Sequence, residues 1–353
     1  MTAAARAKVV VQLPATARTG SIESRYQLEL ESLAPLAELV EVQARTPADF
    51  IAAARDADAI ITSWGVRIDR QIIAGLDRCV IIGVGSVGVD MVDVEAATEA
   101  GIVVTNVPDV FIEEVADHAM MLLLAAVRHV KATDAMAREG AWHQGRPLLN
   151  HVPRLMGRTL GLYGFGNVAR CVARRAAGFG LHLLAHDPYV SELTISEFGV
   201  EPVSFGELLE RADYLSVHAP LNDETRHSIN RGALARLRPG AVVVNTARGG
   251  VIHEGDLIEA LRSGHVAAAG LDVLEQEPPE PDNPLLGMAN VIITPHVASA
   301  TTRMRPETRR RAAREVSLVL QGRWPMSCVN PTVLPRTRLE RWQPYPMNRG
   351  PNR

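Results

Sequence analysis

Residues 157–189 read GRTLGLYGFGNVARCVARRAAGFGLHLLAHDPY, and the rest of the chain is arranged around them. The apolar run 160–163 predicts a buried strand, 164–169 a tight turn, 167–178 a helix closed by glycine, and 181–185 a second strand with Asp187 beyond its end. In such a βαβ unit Gly164 lets the chain reverse, Gly166 lets the backbone approach phosphate groups, and the small Ala169 lets helix and strand pack closely. The helix start offers free N–H groups and a partial positive charge, so Gly164, Phe165, Gly166, Asn167 and Val168 are candidates to hold a pyrophosphate. Asp187, about twenty residues past the second glycine, falls where a carboxylate accepts hydrogen bonds from a ribose. Glycine turns between strand and helix are common. Strand, turn, helix, strand and acid in register are not, and together they point to a bound dinucleotide. An acid here disfavours a 2′-phosphate, so NAD is the expected cofactor rather than NADP.

A chain of 353 residues exceeds the usual size of one domain, and with 47% hydrophobic residues and a net charge of −3 it can fill two large cores. Nothing in this balance favours nucleic acid or an acidic surface as a partner. Cys79, Cys171 and Cys328 are odd in number and lack metal-ligand spacing, which reads as structural thiols in a reducing cytoplasmic setting, with no metal site. No charged-then-apolar leader opens the chain, and the apolar stretch 120–127 is too short to cross a bilayer, so a soluble protein with no membrane partner is expected.

Toward the N-terminus, residues 113–138, EEVADHAMMLLLAAVRHVKATDAMAR, form one long helical pattern more apolar at its centre than a surface helix. It is expected to be buried between domains or subunits. His118 lies on it; a histidine set in an apolar stripe is more often hydrogen-bonded structure than a catalytic group, and that reading is preferred. Residues 140–157 read as a loop. Further upstream, strands at 8–13, 39–43, 59–63, 80–84 and 102–105 alternate with short amphipathic segments at 21–36 (capped by Ser21), 47–55, 69–76 and 93–100. That alternation implies a parallel sheet covered on both faces. The glycine-rich run 83–88 leads into Asp90 and Asp93 rather than a longer helix. It is either a plain strand end or a place where the N–H groups of Val87 and Gly88 bind a small anion.

Downstream, Ser204 and Glu207 make a capping box for a helix over 204–211. Strands are expected at 214–217, 241–245, 266–271 and 291–293, with helices at 229–237 and 256–263. In an open parallel sheet the ligand lies beyond the carboxyl ends of the strands, and Asp187, His218, Arg248, Asp272 and His296 all fall there. Pro220, Thr225, Thr246 and Ala247 lie on the same loops and join them as expected cofactor contacts.

The side chains at these ends have complementary chemistry. Arg248 can fork onto a carboxylate and polarise a neighbouring carbonyl. Asp272 either accepts from a nicotinamide carboxamide or caps a turn. Glu277 and His296 can form a carboxylate–imidazole pair, which holds the ring in one tautomer and favours its protonated form, as suits a general acid acting on a keto oxygen.

From residue 59 to 334 the chain resembles the D-isomer-specific 2-hydroxyacid dehydrogenase family, a group that includes D-lactate, glycerate, phosphoglycerate and formate dehydrogenases and the C-terminal-binding-protein corepressors. The resemblance rests on GFGNVA with Asp187, ADYLSVHAPLNDET, VVVNTARGGVIHE, AGLDVLEQEPP and VIITPHVASAT, with the VADHAMMLLLAAVR and GVDMVDVEAA stretches similar as well. It implies two doubly wound parallel-sheet α/β domains, a Rossmann NAD-binding domain at 119–304 inserted in a flavodoxin-like substrate domain at 1–118 and 305–334; the proline-rich, basic and weakly periodic stretch 335–353 reads as an extended C-terminal tail. The resemblance implies Arg248 as substrate clamp, Glu277 as histidine partner and His296 as acid/base, with Asp272 on the nicotinamide and Val87 and Gly88 on the substrate carboxylate. A small D-2-hydroxy or 2-keto acid is the implied substrate and a homodimer through residues 113–138 the implied assembly. An NAD(H)-sensing, corepressor-like role with little turnover, or phosphite or formate oxidation, are the alternatives.

Departures bear on specificity. Ser86 stands where relatives often have glycine, Ala169 replaces the third glycine, and Phe111 lies in a loop that in formate-type members presents an asparagine to the substrate, which argues against formate and for an apolar substituent. The arginines at 303–314 read as a solvated, salt-bridged helix face, since Glu307 and Glu315 lie among them. In the tail, Trp342 and Tyr345 are expected to dock on a neighbouring subunit.

Overall fold

The computed structural model describes residues 6–12, 21–63 and 65–342; Leu13, Trp64, Tyr345 and the tail from 343 onward lie outside the described residues. The chain divides into two compact units, Met1–Val110 with Thr301–Arg353, and Phe111–Ala300. The sequence reading puts these crossings at 118/119 and 304/305.

The first unit is built on β1 (Ala7–Gln12), β2 (Ala37–Val42), β3 (Ala59–Thr62), β4 (Ile81–Val84) and β5 (Val103–Thr105), all parallel, in the order β2-β1-β3-β4-β5. That is the flavodoxin-like winding. Central strands are buried on both faces and so read as unbroken apolar runs: AIIT in β3 is buried at every position. One face carries Phe50, Ile68, Ile72 and Ala97; the other receives the helix Met304–Leu320, whose Val316 side chain lies against Gly83.

That helix is salt-bridged, as expected, but less solvated than expected. Arg309 grips Glu29 with Nε on Oε1 and Nη2 on Oε2, both at 2.6 Å, and the Glu29 side chain is only 5% exposed. Arg310 pairs with Glu31 and Glu307, and Arg311 with Glu315 and Asp109.

The second unit carries β6 (Thr159–Tyr163), β7 (His182–His186), β8 (Glu201–Pro202), β9 (Tyr214–Val217), β10 (Ala241–Asn245), β11 (Val266–Leu271) and β12 (Val291–Ile293), in the order β12-β11-β10-β9-β6-β7-β8. Strand order reverses between β6 and β9, which makes that crevice the topological switch point. Two apolar layers sandwich this sheet, one around Leu122, Leu162, Phe165 and Val244, the other around Leu215, Leu234, Val243 and Leu271.

Two expectations are corrected here. The single helix over 113–138 is two, Ile112–Val127 and Val130–Arg138, because His129 adopts a left-handed conformation (φ 49) and turns the chain between them. The stretch 140–157 is not all loop: Trp142–Leu149 is helical with Pro147 inside it. Gly145 and Pro147 are poor helix formers, so local preference hides a turn that only the surroundings stabilise. The capping box is present, Ser204 accepting from Glu207 N and Glu207 from Ser204 N. All three cysteines are free, and burial pushes the Cys79 thiol up to about 12 and Cys328 up to about 11. Among the described residues no helix is long and apolar enough to cross a membrane.

Candidate active site

The second unit gathers most of the candidate residues at its strand ends. After β6, Gly164 sits at φ 89 with its N–H on His186 O, and a Cβ there would meet Ala219 N at 2.6 Å. Only glycine fits, and the turn is thereby pinned against the end of β9. Phe165 is fully buried, edge-on to Phe198, and its N–H donates to Asp187 Oδ2 at 2.8 Å. The helix Asn167–Gly178 then starts at Gly166 with no side-chain cap, and the space beside Gly166 is open. Its first-turn N–H groups therefore face outward with the positive end of the helix dipole behind them.

His218 leaves β9 with its N–H on Tyr163 O at 2.7 Å and its Nε2 2.8 Å from Ser216 Oγ. Burial lowers this imidazole to about 4, so it is neutral at pH 7. Thr225 folds its loop back by donating to Pro220 O. Thr246, after β10, has a buried hydroxyl with no hydrogen-bond partner among the described residues. A buried hydroxyl left unsatisfied is a place for a ligand group. The uncapped helix start, the open glycine turn, the Asp187 carboxylate and this orphan hydroxyl fit a dinucleotide laid across the switch point.

Asn245 ends β10 almost fully buried; its Oδ1 accepts from Ala247 N and its Nδ2 donates to Arg248 O, both at 2.9 Å. This closed loop aims Arg248, whose Nη1 also donates to Ala247 O. The next residue, Gly249, packs so closely on another loop that a Cβ would lie 1.9 Å from Leu274 O. Leu274 in turn donates its N–H to Glu277 Oε1 at 3.0 Å, and Glu277 Oε2 lies 2.7 Å from His296 Nδ1. The Arg248, Glu277 and His296 loops thus form one connected set at the ends of adjacent strands β10, β11 and β12.

With Nδ1–H spent on Glu277, the Nε2 of His296 is the nitrogen left for a ligand. His296 itself sits at φ 53, an uncommon conformation for a residue with a Cβ, held by its N–H on Asp272 O and Thr294 O. Asp272 is 2% exposed and its carboxylate accepts from Thr294 Oγ1, Val297 N and Ala298 N. Of its two sequence readings, the turn cap is the one with contacts in the chain. His118 reaches this cluster from the helix Ile112–Val127, with Nε2 2.8 Å from Thr294 Oγ1.

Val87 and Gly88 belong to the first unit. Their loop is held by Asn106 Nδ2 on Val87 O, Val107 N on Ser86 O and Ser86 Oγ on Gly88 O, and their own N–H groups have no acceptor among the described residues. Asn106, Asn245 and Thr294 escaped the sequence reading. Asn245 carried a usable signal, a lone polar residue ending the apolar run AVVV. No group of three metal-binding side chains occurs among the described residues.

Two open parallel sheets, with an uncapped glycine turn and its carboxylate at the switch point of the second, define a Rossmann-type dinucleotide-binding protein. The chain belongs to the D-isomer-specific 2-hydroxyacid dehydrogenase family, whose NAD-binding domain matches residues 120–298. It is 38% identical over 322 residues to a D-3-phosphoglycerate dehydrogenase of Methanocaldococcus jannaschii, covering 90% of this chain and 61% of that one. It is 40% identical over 281 residues to a glyoxylate reductase of Korarchaeum cryptofilum, covering 79% of this chain and 85% of that one. Among solved structures it resembles an NADPH-dependent glyoxylate/hydroxypyruvate reductase of Sinorhizobium meliloti, in complex with NADP and malonate, at 31% identity and a TM-score of 0.80, covering 93% and 98% of the two chains. The chain spans about three fifths of the length of the curated phosphoglycerate dehydrogenases it matches.

Proposed function

We propose that this protein is an NAD-dependent oxidoreductase that interconverts a small D-2-hydroxy acid and the corresponding 2-keto acid. The observation that carries the reading is the His296–Glu277 pair at 2.7 Å, tied through Leu274 and Gly249 to the loop of Arg248. Bound nicotinamide supplies or accepts the hydride. Gly164, Phe165, Gly166, Asn167 and Val168 hold the pyrophosphate, Asp187 the adenine ribose, and His218, Pro220, Thr225, Thr246, Ala247 and Asp272 line the remainder. Asp187 favours NAD over NADP because a 2′-phosphate would meet its carboxylate.

Arg248 binds the substrate carboxylate and draws electron density from the 2-keto oxygen, and the Val87 and Gly88 N–H groups are the substrate contacts proposed for the other unit. His296 donates its Nε2 proton to that oxygen in reduction and takes it back in oxidation, while Glu277 stabilises the protonated ring. The unit of residues 1–110 and 301–353 acts as the substrate domain and that of 111–300 as the cofactor domain.

A second copy is the proposed partner. Met121, Val130 and Trp142 are exposed large apolar side chains on or just after the two helices of 112–138, and a groove lined by Leu124, Val127, Arg128, Leu149, Arg154 and Phe179 begins on the first of these helices; exposed apolar surface of this kind favours burial by another chain. The three free thiols are compatible with the cytoplasm.

The test is loss of NADH absorbance over a panel of 2-keto acids that includes glyoxylate, hydroxypyruvate and 3-phosphohydroxypyruvate, with light scattering for the assembly. Turnover of one member at rates well above background is expected. Tight NADH binding with no turnover would replace this reading with a sensor.

A further inference from the structure

We propose that His118 is a positioning residue for His296, acting as a clamp on the Asp272–Thr294 pair over which the histidine turn is folded. The proposal rests on the reading of His296 as acid/base. His118 Nε2 lies 2.8 Å from Thr294 Oγ1 and 3.4 Å from Asp272 Oδ1. Thr294 has one hydroxyl proton and gives it to Asp272 Oδ1 at 2.5 Å. Its oxygen can therefore only accept from the imidazole, which assigns a proton to His118 Nε2.

Asp272 is where this clamp meets the chemistry. Its main-chain oxygen takes the N–H of His296, and its carboxylate takes those of Val297 and Ala298, so it holds the chain on both sides of the imidazole. The carboxylate is almost fully buried, and among the described residues His118 is the one basic side chain within ion-pair distance of it. A backbone at φ 53 persists only where its surroundings over-determine it.

The helix Ile112–Val127 fixes the other end. Its Leu122 packs directly on Gly270 of β11, and His118, one turn earlier, lies over the end of that strand where Asp272 stands. Removing the imidazole strips Thr294 of its donor and takes the basic group from beside the buried carboxylate, so the turn is freed to move.

The experiment compares His118→Ala and His118→Gln with the wild-type protein. In His118→Ala, kcat for keto-acid reduction is expected to fall about a hundredfold, because small misplacements of a reacting group have effects of that size. KM for the keto acid and the Kd for NADH, read by fluorescence titration, stay close to wild type, since the Arg248 loop and the glycine turn are held by other contacts. Gln presents an N–H to Thr294 and restores much of kcat. Thr294→Val alone lowers kcat, and adding it to His118→Ala costs little more, because the pair acts as a unit.

An unchanged kcat in His118→Ala, a loss confined to KM or NADH affinity, or Gln no better than Ala would each overturn the proposal. If His118→Ala does not fold, His118→Gln and Thr294→Val carry the same comparison. If the wild-type protein reduces no keto acid, the functional reading fails on its own. The clamp is then read from the His296 ring resonance, identified with His296→Asn, which should shift and broaden in His118→Ala; an unmoved resonance overturns it.

Discussion

His296 Nδ1 stands 2.7 Å from Glu277 Oε2, and the other oxygen of that carboxylate is held by Leu274 N at 3.0 Å. The imidazole is therefore oriented by a group that is itself immobilised. His296→Asn is expected to lower kcat for keto-acid reduction by about a thousandfold, within the range typical of a lost general acid. Glu277→Gln, which keeps an acceptor but not the charge, should cost less than Glu277→Ala. Stopped-flow turnover with NADH measures all three, and an Asn variant as fast as wild type removes His296 from the chemistry.

Gly249 offers a structural test of the same set. A methyl there would lie 1.9 Å from Leu274 O, far inside contact distance, so Gly249→Ala must push the Arg248 and Glu277 loops apart. Overpacking of this kind costs about 1–3 kcal/mol. A lower melting temperature together with a lost carboxylate affinity is the expected outcome, read by calorimetry and by KM.

Asp187 spends one oxygen on Phe165 N and the other on Tyr189 N, yet keeps lone pairs for a ribose. Asp187→Ser should weaken NADH binding and raise the NADPH/NADH ratio of kcat/KM. A ratio that does not move would remove Asp187 from cofactor choice.

His218 sets a pH dependence. Its folded value of about 4 lies below its ordinary 6.5, so between these limits the unfolded chain binds the extra proton. Stability then rises with pH across that window, by up to about 1.4 kcal/mol per unit, and the contribution is lost as pH falls toward 4. Melting curves from pH 4 to 7 should be steeper for the wild-type protein than for His218→Asn.

In the first unit, Arg309→Ala would strand the Glu29 carboxylate, whose side chain is 5% exposed. Breaking a pair of this kind costs about 3 kcal/mol. Urea unfolding of the variant checks it, and no change in midpoint would mean that solvent reaches Glu29.

Much of this was legible in the residues. The fold followed from alternation of apolar runs with amphipathic segments, since strands buried on both faces leave that imprint. The strands expected at 214–217, 241–245, 266–271 and 291–293 coincide with β9 to β12, which is why Arg248, Asp272 and His296 could be placed just past the carboxyl ends of β10, β11 and β12. The break at His129 was not legible, because a left-handed histidine leaves no glycine to mark it. The helix Trp142–Leu149 was hidden by its own glycine and proline. Asn245, Asn106 and Thr294 were missed for a different reason: each acts by satisfying main-chain or carboxylate groups that only folding brings near. His118 was read correctly as hydrogen-bonded, but its partner lies 176 residues away.

Arg248, Glu277 and His296 all come from one continuous span that begins and ends within Phe111–Ala300, whereas the free amides of Val87 and Gly88 come from the other part of the chain. On the roles proposed for them, this division writes reactivity and selectivity into separate stretches of the polypeptide. On those roles, loops following β3, β4 and β5 set which acid is held, while the clamp and the proton-handling pair stay within the other span.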